Sequence, residues 1–135
     1  MLLIKKKSDF VKNNVLKLSQ KLGFKDEVNY EILGWASSLH EIGLLISQES
    51  YHKHGYYIIK NMDLPFFSLF EKTLLGNLVL AQKGNLKKAS HILESFEGKI
   101  MVLSLRLGIL LTNKKIDLSF VKAKVVTKKQ IDLSF

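Results

Sequence analysis

Residues 35–67, WASSLHEIGLLISQESYHKHGYYIIKNMDLPFF, form the most informative stretch of this sequence. Its apolar residues recur at helical spacing, and we expect one helix to begin after Asp26 and to end before Gln48. A second helix is predicted over Tyr51–Asn61, because an Asp-Leu-Pro turn sequence then interrupts the pattern. Three of the four histidines of the chain lie within this stretch. It therefore predicts two consecutive helices that carry a group of histidines.

Helices are also predicted on both sides of this stretch. Upstream, Ser8 is the expected N-cap of a helix that Gly23 ends. Downstream, Ser68 and Glu71 form the pattern of a capping box, and residues 86–95 and 99–113 are predicted to be helical. The expected apolar faces are Val11, Val15, Leu18 and Leu22 in the first helix, Leu74, Leu75, Leu78 and Val79 in the fourth, and Ile100, Leu103, Leu107 and Leu110 in the last.

The end of the chain has a different periodicity. The segments IDLSFVKAKVV and QIDLSF alternate apolar and polar residues, are rich in Val, Ile and Phe, and flank a polar TKK. Alternation with a period of two is typical of strands. We therefore predict a β-hairpin in which residues 116–126 pair with residues 130–135.

Composition indicates one folded, soluble domain. The 135 residues suffice for a hydrophobic core, and a hydrophobic fraction of 47% argues against disorder despite a net charge of +9. The absence of cysteine agrees with a cytoplasmic protein. The most apolar stretch, residues 100–111, contains Arg106 and is too short to span a bilayer, so no membrane partner is expected. The aromatic residues in apolar segments are expected in the core: Trp35, Phe66, Phe67 and Phe70.

The excess of lysine predicts a polyanionic partner. The densest group, here called the tail lysines, comprises Lys114, Lys115, Lys122, Lys124, Lys128 and Lys129. These residues form either a track that binds a polyanion or a solvated face that keeps the domain soluble. Strand alternation places Lys122 and Lys124 on the same face of the hairpin. Nucleic acid is not the expected polyanion, since no helix-turn-helix signature, zinc pattern or stacking aromatic sheet accompanies the charge.

His40, Glu41, His52 and His54, here called the histidine cluster, are the candidate site. Imidazoles and a carboxylate on adjacent helices can bind a divalent metal, and a neighbouring His–acid pair resembles the metal dyad of HD-domain phosphohydrolases. Those enzymes take further ligands from an earlier and a late helix. Here the first helix has no His, and the late helix reads LSLRLGILL. We therefore favour a structural or vestigial role, with no metal ligand and no catalytic residue, over a metal centre.

Residues 35–67 also resemble the central motif of the C-terminal domain in the exopolyphosphatase and guanosine pentaphosphate phosphohydrolase family. In that family a Trp-Ala…Leu-His-Glu-(Val/Ile)-Gly helix precedes His-(Arg/Lys)-His, Tyr-Ile-(Leu/Ile) and Asn-x-Asp-Leu-Pro-x-Phe. The late LSLRLGILL is similar to the family's LRLAxLL helix. The matching residues are Trp35, Ala36, Leu39, His40, Glu41, Gly43, His52, His54, Tyr57, Asn61, Asp63, Leu64, Pro65 and Phe67.

The resemblance implies a mainly α fold with an HD-domain-like helical bundle over residues 1–113. The short C-terminal β-hairpin predicted from alternation departs from the longer tail of that family and forms a tail of the same domain over residues 114–135. The resemblance also implies an accessory domain that contributes to polyphosphate binding and to a homodimer. The partners would be polyphosphate or guanosine pentaphosphate, through the parent enzyme. That family's magnesium-dependent catalysis resides in an N-terminal pair of domains with glycine-rich phosphate loops. No such loop occurs in this sequence, so we expect no activity and no cofactor in this domain.

Two other functions stay open. One is an independent HD-type metal-dependent phosphohydrolase that uses the histidine cluster. The other is a basic nucleic-acid-binding protein, which only the charge suggests.

Overall fold

The computed structural model describes the backbone of residues 2–114, 122–127 and 130–134 and the side chains of residues 7–87 and 89–114. Within these ranges the chain is mainly α-helical, as predicted. The α-helices are α1 (Leu2–Lys21), α2 (Glu27–Leu39), α3 (Tyr51–Asn61), α4 (Leu69–Ala81) and α5 (Phe96–Asn113). Two 3₁₀ segments cover Ile42–Leu45 and Leu86–Glu94, and the strands are β1 (Lys122–Thr127) and β2 (Gln130–Ser134).

Helix α1 begins earlier than the sequence indicated. The helix extends back to Leu2, so Ser8 lies inside it rather than at its N-cap. The Ser8 hydroxyl instead donates a hydrogen bond of 2.9 Å to the carbonyl of Ser38 at the end of α2. The prediction of Ser8 as an N-cap was wrong because α1 continues through it to Leu2, and its hydroxyl donates to α2 instead of accepting an N–H of its own helix.

Three other predicted helix ends are confirmed. Gly23 has a φ of +84°, which a residue without a Cβ adopts at low cost, and it terminates α1. The carboxylate of Asp26 accepts the N–H of Asn29 and caps α2. Ser68 and Glu71 form the complete capping box at the start of α4. These ends depend on short-range contacts, which is why local sequence predicted them.

Helix α2 is shorter than predicted. It ends at Leu39 and does not continue toward Gln48; a turn and the first 3₁₀ segment follow instead. The break lets the backbone of Gly43 pack directly on α3. A Cβ on Gly43 would overlap the carbonyl oxygen of Tyr51 and would lie 2.6 Å from the N atom of Gly55. This contact between two backbones fixes the path of the chain from α2 into α3.

The core lies between α1, α2, α4 and α5. The predicted apolar faces of α1 and α4 are confirmed, except that Leu74 is only partly buried. The predicted face of α5 was right for Ile100, which is buried, and wrong for Leu110, which is 49% exposed. Leu103 and Leu107 are only partly buried, whereas Met101, Leu105 and Leu111 are buried. Gly108 explains this rotation, because a Cβ there would overlap the side chain of Val15 on α1. The close contact between Gly108 and Val15 thus determines which face of α5 is buried.

The segment before α5 also differs from its predicted α-helix. Residues Leu86–Glu94 form 3₁₀ turns with non-helical backbone angles at Ala89, where φ is −115° and ψ is 20°. Ser95 then caps α5 by accepting the N–H of Gly98. Helix α5 therefore starts at Phe96, three residues before its predicted start.

Three of the four aromatic residues expected in the core are exposed. Trp35 is 46% exposed, Phe66 is 91% exposed and Phe70 is also largely exposed. Phe67 is partly buried and contacts Trp35 edge to face, with 5.8 Å between the ring centroids. The prediction was wrong because Phe66 lies in the loop before α4, Phe70 lies in its first turn, and Trp35 lies on a face of α2 that the core does not cover.

The two described strands pair antiparallel. Lys122 lies opposite Ser134 and Lys124 opposite Asp132, with an irregularity between Val125 and Thr127. Strand β1 contacts α1. The remaining parts of the predicted hairpin, residues 116–121 and 135, lie outside the described residues. Among the described helices, none combines the length and the apolarity that a membrane crossing requires.

Candidate functional site: the histidine cluster and its surroundings

His40 is fixed at the end of α2 by its ring and by its backbone. The side chain is buried, with 1% of its surface exposed. Its Nδ1 lies 2.7 Å from the carbonyl oxygen of Ser37, so Nδ1 carries a hydrogen and donates it. The His40 carbonyl in turn accepts a hydrogen bond of 2.6 Å from Nε2 of Gln82 at the end of α4. His40 therefore joins the ends of two helices.

The second ring nitrogen of His40 faces an ion pair. Its Nε2 lies 3.4 Å from Oε1 of Glu41, and the ammonium of Lys7 lies 3.2 Å from the same oxygen. Burial lowers the pKa of His40, and the charge of Lys7 lowers it further. These effects outweigh the carbonyl of Ser37 and the carboxylate of Glu41, which favour the protonated ring. His40 is therefore neutral near pH 7, and the cation that neutralises Glu41 is Lys7.

His52 has a different environment at the start of α3. The side chain is 8% exposed, and its buried Nδ1 has no hydrogen-bond partner. Its Nε2 lies beside Gly84, where a Cβ would come within 3.1 Å. Burial lowers the pKa of His52, and the positive charges of Lys83, Lys53 and Arg106 act in the same direction. His52 is thus a neutral imidazole surrounded by cations.

His54 is partly exposed and makes no side-chain hydrogen bond with the described residues. Nor do the described residues include a group of three or more His, Cys, Asp or Glu side chains placed to hold a metal ion. The Glu41 carboxylate already pairs with an ammonium, which competes with any divalent cation. The described members of the histidine cluster therefore do not form a set of metal ligands. The structural or vestigial role of these residues stays a prediction.

A pocket that the sequence did not indicate opens beside His52. It has a volume of about 400 Å³ and is lined by His52, Lys53, Leu80, Gly84, Asn85 and Lys87. His52 and Lys53 belong to the His-(Arg/Lys)-His motif, but no motif links them to the other four residues, because the two groups meet only where the end of α4 passes the first turn of α3. We call this cavity the His52 pocket.

The wall of the His52 pocket is held by Arg106 of α5. Its Nε donates to the carbonyl of Ala81 and its Nη2 to the carbonyl of Gly84, each at 2.8 Å. Both acceptors belong to the C-terminal end of α4, where carbonyl groups lack helical partners. Lys83 is placed nearby, with its Nζ 3.9 Å from the centroid of the Tyr51 ring.

The tail lysines are only partly described. Lys114 is exposed at the end of α5, and Lys122 and Lys124 lie two positions apart on β1. Lys115, Lys128 and Lys129 lie outside the described residues. A continuous anion-binding track formed by these residues therefore stays a prediction.

Curated relatives of the chain share one name. Each is called guanosine-5'-triphosphate,3'-diphosphate pyrophosphatase. The protein from Vibrio atlanticus (strain LGP32) is 35% identical over 86 residues, which are 62% of this chain and 17% of the relative. That from Aliivibrio fischeri (strain MJ11) is 31% identical over 105 residues, which are 76% of this chain and 21% of the relative. The chain thus spans about a fifth of the length of these relatives.

The family comparison covers nearly the whole chain. Residues 4–135 match the family model described as Ppx/GppA phosphatase, domain III. This range includes the histidine cluster, the His52 pocket and the tail lysines. It agrees with the motif in residues 35–67 and with the helical architecture. The chain therefore belongs to the Ppx/GppA phosphatase family, in which it corresponds to domain III.

Proposed function

We propose that this chain is the accessory, HD-like helical domain of an exopolyphosphatase or guanosine pentaphosphate phosphohydrolase. In this role it helps to bind the polyanionic substrate and to form a homodimer in the cytoplasm, and it does not catalyse hydrolysis alone. The observation that carries the proposal is the match of residues 4–135 to domain III of this family. Residues 1–113 would form the HD-like bundle and residues 114–135 a β-hairpin tail of the same domain.

The charge and the strands of the chain support both parts of this role. A net charge of +9 favours a partner with a dense negative charge, and polyphosphate is such a partner. Three of the tail lysines lie at described positions. These are Lys114, directly after α5, and Lys122 and Lys124 on β1. A two-stranded sheet leaves strand edges that can pair with a second chain. Magnesium would act in the catalytic domains of the parent enzyme.

The first prediction concerns activity. We expect the chain alone to release no phosphate from polyphosphate or guanosine pentaphosphate in the presence of magnesium. The reason is that the sequence has no glycine-rich loop that could hold the reacting phosphates. A colorimetric phosphate assay with each substrate measures this. Turnover that His40→Ala abolishes would replace the proposal with an independent HD-type phosphohydrolase.

The second prediction concerns polyphosphate binding by the tail lysines. Binding to a polyanion releases counterions, and for nucleic acid the log–log salt slope changes by about 0.7–0.9 per neutralised phosphate. The double variant Lys122→Gln/Lys124→Gln should therefore bind polyphosphate more weakly and flatten the slope by about 1.4–1.8. Titrations at several salt concentrations measure both quantities.

The control for that experiment is Lys60→Gln/Lys72→Gln. It removes the same charge from α3 and α4, next to Tyr56 and away from the tail. It should lower affinity only slightly and leave the slope nearly unchanged. Equal slopes in both double variants would show that the tail lysines are a solvated face, and the binding part of the proposal would then be wrong.

A further inference from the structure

The His52 pocket combines hydrogen-bond donors with an excess of positive charge. Lys53 and Lys87 are exposed at its rim, and Lys83 and Arg106 lie close enough to lower the pKa of His52. None of these cations forms an ion pair with an acidic side chain among the described residues. Within that part of the chain no carboxylate is therefore paired with the positive charges around the pocket.

The buried edge of His52 determines which ring nitrogen can donate into the pocket. Nδ1 is buried without any acceptor, so a proton on it would be an unsatisfied buried donor. We assign the proton of the neutral ring to Nε2, since this tautomer leaves no unsatisfied donor at the buried edge. Nε2 lies on the side of Gly84, which lines the pocket with His52. His52 thus directs an N–H group toward the pocket.

Asn85 adds a further donor. Its Oδ1 accepts the backbone N–H of Lys87 at 2.9 Å, and its amide NH₂ makes no hydrogen bond within the described residues. The described side chains lining the pocket thus supply an imidazole N–H, an amide NH₂ and two ammonium groups, without a carboxylate. A group with several acceptor oxygens and a negative charge matches this donor set.

We propose that the His52 pocket binds a phosphate group, with His52, Lys53, Asn85 and Lys87 as its donors. The group is either free inorganic phosphate or a terminal phosphate of a larger phosphorylated molecule. The volume of about 400 Å³ is sufficient for one such group with part of the molecule that carries it. This site uses none of the tail lysines and does not require a dimer, so it stands or falls independently of the proposed function.

The experiment follows the imidazole nitrogens of His52 by nuclear magnetic resonance. Sodium phosphate replaces sodium chloride at constant ionic strength, and pH titrations are recorded at each phosphate concentration. We expect saturable shifts of the His52 signals and a rise in the pKa of His52, because a bound anion favours the protonated ring. Lys53→Gln and Lys87→Gln should each weaken phosphate binding about tenfold, as for the loss of a charge-assisted hydrogen bond.

Lys60→Gln is the matched control, since it removes the same charge from α3 outside the pocket. Its phosphate affinity should equal that of the unchanged chain, and so should that of Lys122→Gln/Lys124→Gln. Tripolyphosphate and GTP, tested in the same way, distinguish a site for free phosphate from a site for a phosphate terminus. His52 signals that do not respond to phosphate, or that respond equally in Lys53→Gln and Lys60→Gln, would overturn the proposal.

Discussion

Replacing Gly43 with alanine should destabilise the domain by about 3 kcal/mol or more, which is the upper range for overpacking a close contact. The added Cβ would overlap the carbonyl oxygen of Tyr51 and would lie 2.6 Å from the N atom of Gly55. Both neighbours are backbone atoms of α3, so no side-chain rotation can relieve the contact. Urea denaturation, followed by circular dichroism, measures the free energy of unfolding. A decrease in the free energy of unfolding of less than about 1 kcal/mol would show that the contact of Gly43 does not hold the first 3₁₀ segment against α3.

Gly34→Ala is the matched control for Gly43→Ala. Gly34 is also buried, but the nearest atom to its added Cβ is the flexible end of the Lys12 side chain at 3.3 Å. Alanine is favoured over glycine inside a helix by about 0.5–1 kcal/mol. We therefore expect Gly34→Ala to be neutral or slightly stabilising. The contrast between the two variants separates the local contact at Gly43 from a general effect of adding a methyl group.

The parts of the fold that local chemistry determines were predictable from the sequence. Gly23 and Asp26 mark helix ends through contacts with residues a few positions away, and the apolar stripe of α1 follows from helical periodicity. The rotation of α5 was not predictable, since it depends on Gly108 meeting Val15, and these residues are far apart in the chain. The same holds for Ser8, whose acceptor lies on α2. Periodicity gives the presence of a helix, whereas close contacts between helices determine its buried face.

In the candidate site, too, the sequence predicted local features but not the contacts between helices. The spacing of His40 and Glu41 was visible in the sequence, but the pairing of Glu41 with Lys7 of α1 was not. This ion pair removes the carboxylate from the set of metal ligands. The His52 pocket depends on the path of the chain after α4, where Gly84 has a φ of +76° and its carbonyl accepts from Arg106. The residue types in a motif therefore identify candidate site residues. Contacts with residues of other helices then determine whether those residues can bind a metal ion or another ligand.

Replacing the histidines of the cluster one at a time should reduce the stability of the domain by unequal amounts. His40→Ala should cost about 2–4 kcal/mol, because it leaves a cavity at a buried position and deprives the Ser37 carbonyl of its donor. His54→Ala makes the same change at a partly exposed residue whose side chain makes no described hydrogen bond. It should change the free energy of unfolding by no more than about 0.5 kcal/mol. Denaturation of both variants at pH 7.5 gives the comparison, and equal costs would contradict the structural role of His40.

The pH dependence of stability provides a second test of His40. Burial lowers the pKa of His40 below its ordinary value of 6.5 in the folded chain. As the pH falls below 6.5, the unfolded chain takes up this proton first, so stability decreases until the folded pKa is reached. His40→Ala removes this contribution and should make stability less dependent on pH over that window. The pKa of His52 is also lowered in the folded chain, so the pH dependence of stability that His52 contributes should persist in the variant. If the pH profile of His40→Ala were parallel to that of the unchanged chain, His40 would not be a buried neutral imidazole, and a metal ion or a bound anion at this position would have to be considered instead.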